Sequence, residues 1–145
     1  MDIQIAKTDA EITECYPVLK ALRPDLSAET FVSKIRDLQT AGYLLAYAVV
    51  MNSPVAVAGF RIGENLAWKR YLYVEDLVTL DAERSKGYGA NLLSWLMVYA
   101  GSEGCETLHL DSGVQRKDAH RFYQREGMRM ASYHFSTTLL SKPLR

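Results

Sequence analysis

Residues 75–90 read Glu75-Asp76-Leu77-Val78-Thr79-Leu80-Asp81-Ala82-Glu83-Arg84-Ser85-Lys86-Gly87-Tyr88-Gly89-Ala90. The run 71–80 (YLYVEDLVTL) that leads in is rich in aromatic and β-branched residues and predicts a long strand. Beyond the glycines, Leu92, Leu93, Leu96, Met97 and Ala100 recur at helical spacing and predict a helix over 87–101. Glycine lets the backbone take positive φ and lets a ligand come close. The first-turn amides of a helix lack internal partners and point outward at the positive end of its dipole, where they bind anions. Arg84 and Lys86 would add counter-charge. A plain strand–helix turn that needs two glycines explains the Gly pattern equally well. The third Gly of a dinucleotide fingerprint and the GK[ST] of a P-loop are both missing, so hydride transfer and nucleotide hydrolysis have no motif here.

Working outward, Ile3 and Ile5 alternate with polar neighbours and predict a strand over 2–7. Thr8 or Asp9 caps a helix whose apolar positions are Ile12, Cys15, Tyr16, Leu19 and Leu22, and Arg23-Pro24-Asp25 ends it. Ser27 opens a second helix with Phe31, Ile35 and Leu38 on one face, stopped by Gly42. Residues 43–50 (YLLAYAVV) and 55–62 (VAVAGFRI) form a hairpin through Asn52-Ser53-Pro54, and 63–65 is a loop. A strand over 106–111, a helix over 116–126 and a last strand over 130–140 complete the chain. The order β-α-α-β-β-β-α-β-α-β predicts a mixed α/β fold with helices covering a central sheet. With no repeat, low-complexity tract or linker, residues 1–145 are expected to form a single domain.

Composition narrows the function classes. The 145 residues are 48% hydrophobic and 23% charged, which is ordinary for a globular protein and excludes disorder. Seventeen basic and seventeen acidic residues cancel, so there is no basic excess of the kind that binds nucleic acid or an anionic membrane. Cys15 and Cys105 form no CxxC pair, and His109, His120 and His134 show no HxxxH spacing, so no metal is expected. No signal-peptide pattern opens the chain, and the longest apolar run, Tyr43 to Met51, is too short to span a bilayer. A cytoplasmic protein is expected.

The stretch 75–90 resembles the acyl-CoA motif of the GNAT N-acetyltransferase superfamily, in which a strand leads into R/Q-x-x-G-x-G/A and a helix. Arg84, Gly87 and Gly89 match in place. Residues 119–128 (AHRFYQREGM) resemble the family's later A-x-x-F-Y-x-x-x-G-F segment through Ala119, Phe122, Tyr123 and Gly127. Asp81 stands where Pro is common, Arg116 where Asn is common and Met128 where Phe is usual. The resemblance implies the GNAT fold, with a mixed, mostly antiparallel sheet flanked by helices, and acetyl-CoA as co-substrate.

It also implies where the cofactor lies. The pyrophosphate would rest on the amides of Ser85, Lys86, Gly87, Tyr88, Gly89 and Ala90, beside Arg84. The pantetheine arm would hydrogen-bond the backbone of Leu77, Val78 and Thr79, where strands 71–80 and 106–111 splay apart. An amide near Val78 would stabilise the oxyanion, and Arg116 is expected to meet a phosphate. An alkylammonium must lose a proton before it attacks, and the leaving thiolate must gain one. Glu75-Asp76-Leu77 resembles the Glu-Asp-Leu/Ile triplet of polyamine-type enzymes. Glu75 is the expected base and Asp76 the alternative, the two facing opposite sides of the sheet by strand alternation. Edge carboxylates paired to Arg70 or Lys69 are the structural alternative. Tyr123 is the expected acid, and a core aromatic is its structural reading. Arg23, Phe31, Tyr73 and Asp76, with Tyr16 and Tyr71, are expected to line the acceptor pocket.

Three functions follow in decreasing order of support: an N-acetyltransferase acting on a primary amine of a small molecule or peptide, an inactive acyl-CoA sensor of the same fold, and a structural domain. Strand 130–140, long and aromatic at a sheet edge, also suggests a homodimer.

Overall fold

A computed structural model describes residues 1–84 and 86–139. The element order is β1 (Asp2–Ile5), α1 (Asp9–Leu22), α2 (Phe31–Thr40), β2 (Leu44–Val50), β3 (Ser53–Asn65) and β4 (Lys69–Thr79). A 3-10 turn (Asp81–Glu83), α3 (Tyr88–Ser102), β5 (Thr107–Leu110) and α4 (Lys117–Arg125) follow. The contacts divide the chain into a unit Met1–Leu110 and a second unit that begins at Asp111.

In the first unit the five strands form one sheet in the order β1-β2-β3-β4-β5. Every pairing is antiparallel except β4 with β5, which is parallel and is connected through α3. Parallel neighbours need such a crossover. The mixed, mostly antiparallel sheet flanked by helices is therefore as expected.

Local chemistry explains the elements. Thr8 Oγ1 accepts from Glu11 N at 3.1 Å while Glu11 Oε1 accepts from Thr8 N at 2.8 Å, a complete capping box that starts α1. Both sheet faces are covered, so Leu45 to Ala48 of β2 are buried without interruption. On one face Tyr43, Leu45, Tyr47 and Val57 pack with Ile12, Val18, Leu19, Phe31 and Ile35 of α1 and α2. On the other, Ala46, Ala48, Ala56 and Ala58 are small enough to seat Leu92, Leu96 and Ala100 of α3, beside Phe60, Leu72 and Val74. Each fully buried Leu or Phe contributes about 2 kcal/mol.

The structure departs from expectation at three places. The 63–65 loop is strand, because the β3–β4 ladder runs on to Asn65 opposite Lys69. The tight turn that remains is held by Trp68 N donating to Asn65 Oδ1 at 2.6 Å. The second helix begins at Phe31 rather than Ser27, since residues 28–30 are turn. The expected strand 130–140 is corrected: residues 130–139 form no strand, and Leu140 lies outside the described residues. Alternation alone creates a strand only where an edge accepts its hydrogen bonds and a core covers one face. Tyr133, Phe135 and Leu139 instead stand 79%, 91% and 91% exposed. The argument for a homodimer through that edge goes with it.

Candidate active site

The site is built on an irregularity in β4. Asp76 pairs with Gly59 and Val74 with Phe60, so Glu75 has no partner across the ladder. This β-bulge shifts strand alternation by one residue. Before it, Leu72 and Val74 face α3; after it, Leu77 does, while Val78 turns to the α1–α2 face.

Asp76 thereby points to the α1–α2 side, where Tyr43 Oη donates to its Oδ2 at 2.8 Å and Arg23 Nε to its Oδ1 at 2.9 Å. Arg61, whose guanidinium lies 5.8 Å from the centre of the Tyr43 ring, places its Nε 2.7 Å from Glu75 Oε2. That contact is an ion pair without hydrogen-bond alignment, and Arg61 Nε is a buried donor with no aligned acceptor. The two carboxylates consequently share a face, which corrects the expectation that they lie on opposite sides. Their cationic partners are Arg23 and Arg61, not Arg70 or Lys69. Arg23 also donates to the Glu75 carbonyl at 3.2 Å, tying the end of α1 to the bulge.

Gly59 makes this packing feasible. A Cβ there would fall 1.7 Å from Tyr43 Oη and 2.8 Å from Asp76 Oδ2. Burial and the neighbouring Asp76 push the Tyr43 phenol far above its ordinary range, so it remains a donor. Sequence reasoning missed Tyr43, Gly59 and Arg61. The available signal was an isolated glycine within an apolar strand, which marks a bulge or a close approach.

Beyond Val74 the other edge of β4 loses its partner, because β5 pairs only Thr107–Leu110 with Tyr71–Val74. Leu80 N donates to Val55 O at 2.9 Å. Since antiparallel pairs alternate in their bonding, Val78 and Asp76 also bond toward β3. The amides and carbonyls of Leu77 and Thr79 therefore point to the free edge, whereas those of Val78 are committed to β3, so of the amides near Val78 the free ones are its two neighbours'.

At the far end of β4, Gly87 takes φ +83° and caps α3 without a side-chain hydrogen bond. Its carbonyl accepts from Asn91 N at 3.0 Å, so the amides of Tyr88, Gly89 and Ala90 precede the first helical bond. A Cβ at Gly87 would meet nothing within 4 Å. The two expected counter-charges already have partners: Arg84 pairs with Asp81 at 2.9 Å and Lys86 with Glu83 at 3.0 Å. Ser85 lies outside the described residues.

Other expected residues are placed less favourably or separately. Phe31 is 2% exposed and packs edge-on against Tyr16 at 5.2 Å. It belongs to the core on the α1–α2 face. Tyr16 donates to Leu26 O at 3.1 Å and so fastens the loop after α1. Tyr73 and Tyr71 stand half-exposed on β4.

In the second unit, Arg116 caps α4 and Tyr123 lies within it, its ring 5.3 Å from that of Phe122. Burial raises the Tyr123 phenol above its ordinary value and Arg116 partly offsets this. His120 Nε2 donates to Gly113 O at 2.8 Å, and Arg121 pairs with Asp118. Among the described residues no three His, Cys, Asp or Glu side chains gather to hold a metal.

The site thus combines a bulged strand with a free edge and a helix that opens at a left-handed glycine with its first-turn amides unbonded. The chain matches the acetyltransferase (GNAT) family over residues 7–128, and it belongs to that family as an N-acetyltransferase. It is 37% identical over 128 residues, 86% of this chain and 89% of the relative, to the uncharacterized N-acetyltransferase YhdJ of Bacillus subtilis. It is 36% identical over 66 residues to the aminoalkylphosphonate N-acetyltransferase of Salmonella typhimurium, covering 46% of this chain and 43% of that protein. Its fold matches an aminoglycoside N-acetyltransferase, AAC(6')-Iy, solved in complex with CoA. The TM-score is 0.83 at 14% identity, over 95% of this chain and 93% of that one.

Proposed function

We propose that the protein is a single acetyltransferase domain, residues 1–145, that transfers the acetyl group of acetyl-CoA to a primary amine by direct attack on the thioester, in the cytoplasm. The observation that carries this reading is the β4 bulge. It sets Glu75 and Asp76 on one face at the point where β5 ends and the backbone of Leu77 and Thr79 becomes free. A pantetheine arm can pair with that edge as a strand would, and the first-turn amides of α3 can take the pyrophosphate. The CoA bound to the structural neighbour supports acetyl-CoA as the donor.

The chain's own groups divide the work. Asp76 is held by Tyr43 and Arg23 and is assigned to positioning. Glu75, whose ion-pair partner among the described residues is Arg61, is assigned as the base that takes the proton of the ammonium, whose pKa is about 10. The freed nitrogen attacks the thioester carbon, a C–N bond forms, and the C–S bond breaks. The Leu77 amide is the donor available to the developing oxyanion. Tyr123, protonated across the neutral range, is assigned the proton for the departing thiolate. Arg84 and Lys86 would exchange their carboxylates for phosphate.

Titration calorimetry with acetyl-CoA, followed by thiol release across an amine panel, tests the reading. Saturable binding with amine-dependent release is expected. Binding without release from any amine would point to a sensor instead, and no binding would remove the reading altogether.

A further inference from the structure

The bulge network leaves unexplained a group of rings on the same sheet face. Tyr71 and Tyr73 alternate with Leu72 and Val74, which pack toward α3, so the two tyrosines stand on the α1–α2 side. Trp68, carried by the β3–β4 turn, stacks on His109 of β5 with ring centres 3.6 Å apart and planes 14° apart. It also lies within 16° of parallel to Tyr73, at 6.5 Å, and meets Tyr71 edge-on at 5.3 Å. Tyr71 in turn lies over Gly63, where a Cβ would fall 2.6 Å from its hydroxyl. Three separate elements thus converge on four rings, and all four remain half-exposed rather than joining either core. Burial lowers the His109 pKa below its ordinary value, so the stack is uncharged at neutral pH.

We propose that Trp68, Tyr71, Tyr73 and His109 form the acceptor subsite and select a primary amine joined to a flat ring by a short aliphatic linker. This rests on the acetyl-transfer reading above. Only Val74 lies between Tyr73 and Glu75, two strand steps or at most about 7 Å, so an amine at the carboxylate leaves its ring over Tyr73 and Trp68 after two or three carbons. Charge argues against polyamines. Arg23 and Arg61 match Asp76 and Glu75 one for one and the rings add no charge, so these residues leave no surplus of carboxylates to hold several ammonium groups. Aromatic faces reward stacking and cation–π contact, which a ringless alkylamine uses only in part.

The chain has two tryptophans, Trp68 and Trp95, so its fluorescence reports on the platform directly. Titrating the full chain with 2-phenylethylamine should change the emission saturably, butylamine should not at equal concentration, and Trp68→Phe should abolish the response. In turnover, kcat/KM for 2-phenylethylamine should exceed that for butylamine at least tenfold. That ratio should fall toward one in Trp68→Ala and in Tyr73→Leu, and recover in Trp68→Phe. Circular dichroism confirms that each variant folds. No saturable change with the ring amine overturns the proposal whatever the enzyme acetylates. A preference for spermidine or kanamycin also overturns it, while acetyl transfer stands. So does a dimer in sedimentation that Trp68→Ala dissolves without any effect of the amine. A ring-amine response at Trp68 in a protein that never binds acetyl-CoA would sustain the platform and defeat the transfer reading.

Discussion

At the scale of single residues, the decisive one is Gly59, because its missing side chain is where the Tyr43 hydroxyl sits. Gly59→Ala should lower thermal stability by about 1–3 kcal/mol, the usual cost of overpacking. It should also reduce kcat, since the Tyr43 ring, 2% exposed, cannot move aside without releasing Asp76. Thermal unfolding alongside steady-state turnover checks both, and an alanine variant equal to wild type in both would show that Tyr43 does not position Asp76. Tyr43→Phe removes only the donor and should cost about 1.5–3 kcal/mol, as a lost hydrogen bond to a charged group does. Tyr123→Phe is a different kind of test. Phe keeps the packing, so the KM for acetyl-CoA should hold while kcat falls roughly 10²–10⁴-fold. A variant within about twofold of wild type from pH 6 to pH 9 would remove Tyr123 from the reaction.

At the scale of elements, the junction of β4 and α3 carries the cofactor argument. Gly87 has φ +83° and open space around it, so a side chain there meets no protein atom in the free chain. Gly87→Val should therefore weaken acetyl-CoA binding far more than it weakens the fold. The left-handed backbone itself costs about 1–2 kcal/mol, whereas binding measured by calorimetry should vanish. Unchanged affinity would mean that phosphate is not held on this turn. The ion pairs Arg84–Asp81 and Lys86–Glu83 are exposed, and such pairs are worth little each, so exchanging their carboxylates for phosphate costs little.

At the scale of the whole molecule, acidification should act through His109. Burial holds its folded pKa below the ordinary 6.5. The unfolded chain then binds more protons than the folded one between the two values, so stability falls as pH drops through that window. The midpoint of thermal unfolding should decrease from pH 7.5 to pH 5.5, and His109→Phe should flatten that decrease. Glu11, whose capping hydrogen bonds lower its pKa from 4.5, contributes stability that is lost only at more acid pH, so the two effects separate. An identical pH response in wild type and variant would show that His109 is not desolvated.

Much of this molecule was legible in one dimension. The cap at Thr8, the two-sided burial of β2, the helical periodicity of α3 and the glycine at its start are all local patterns, and each produced its element. What the tertiary structure decided is register. Alternation along β4 predicts opposite faces for Glu75 and Asp76, but the hydrogen-bond ladder with β3 slips at Gly59 and turns both toward α1 and α2. The partners Arg23, Tyr43 and Arg61 come from sequence positions 14 to 53 residues away from those carboxylates, and no local spacing encodes them. The same limit explains residues 130–139, whose alternating pattern marks a strand that needs a neighbouring edge to exist. A side-chain pattern states which face a residue would prefer; only the pairing of distant backbones fixes which face it receives.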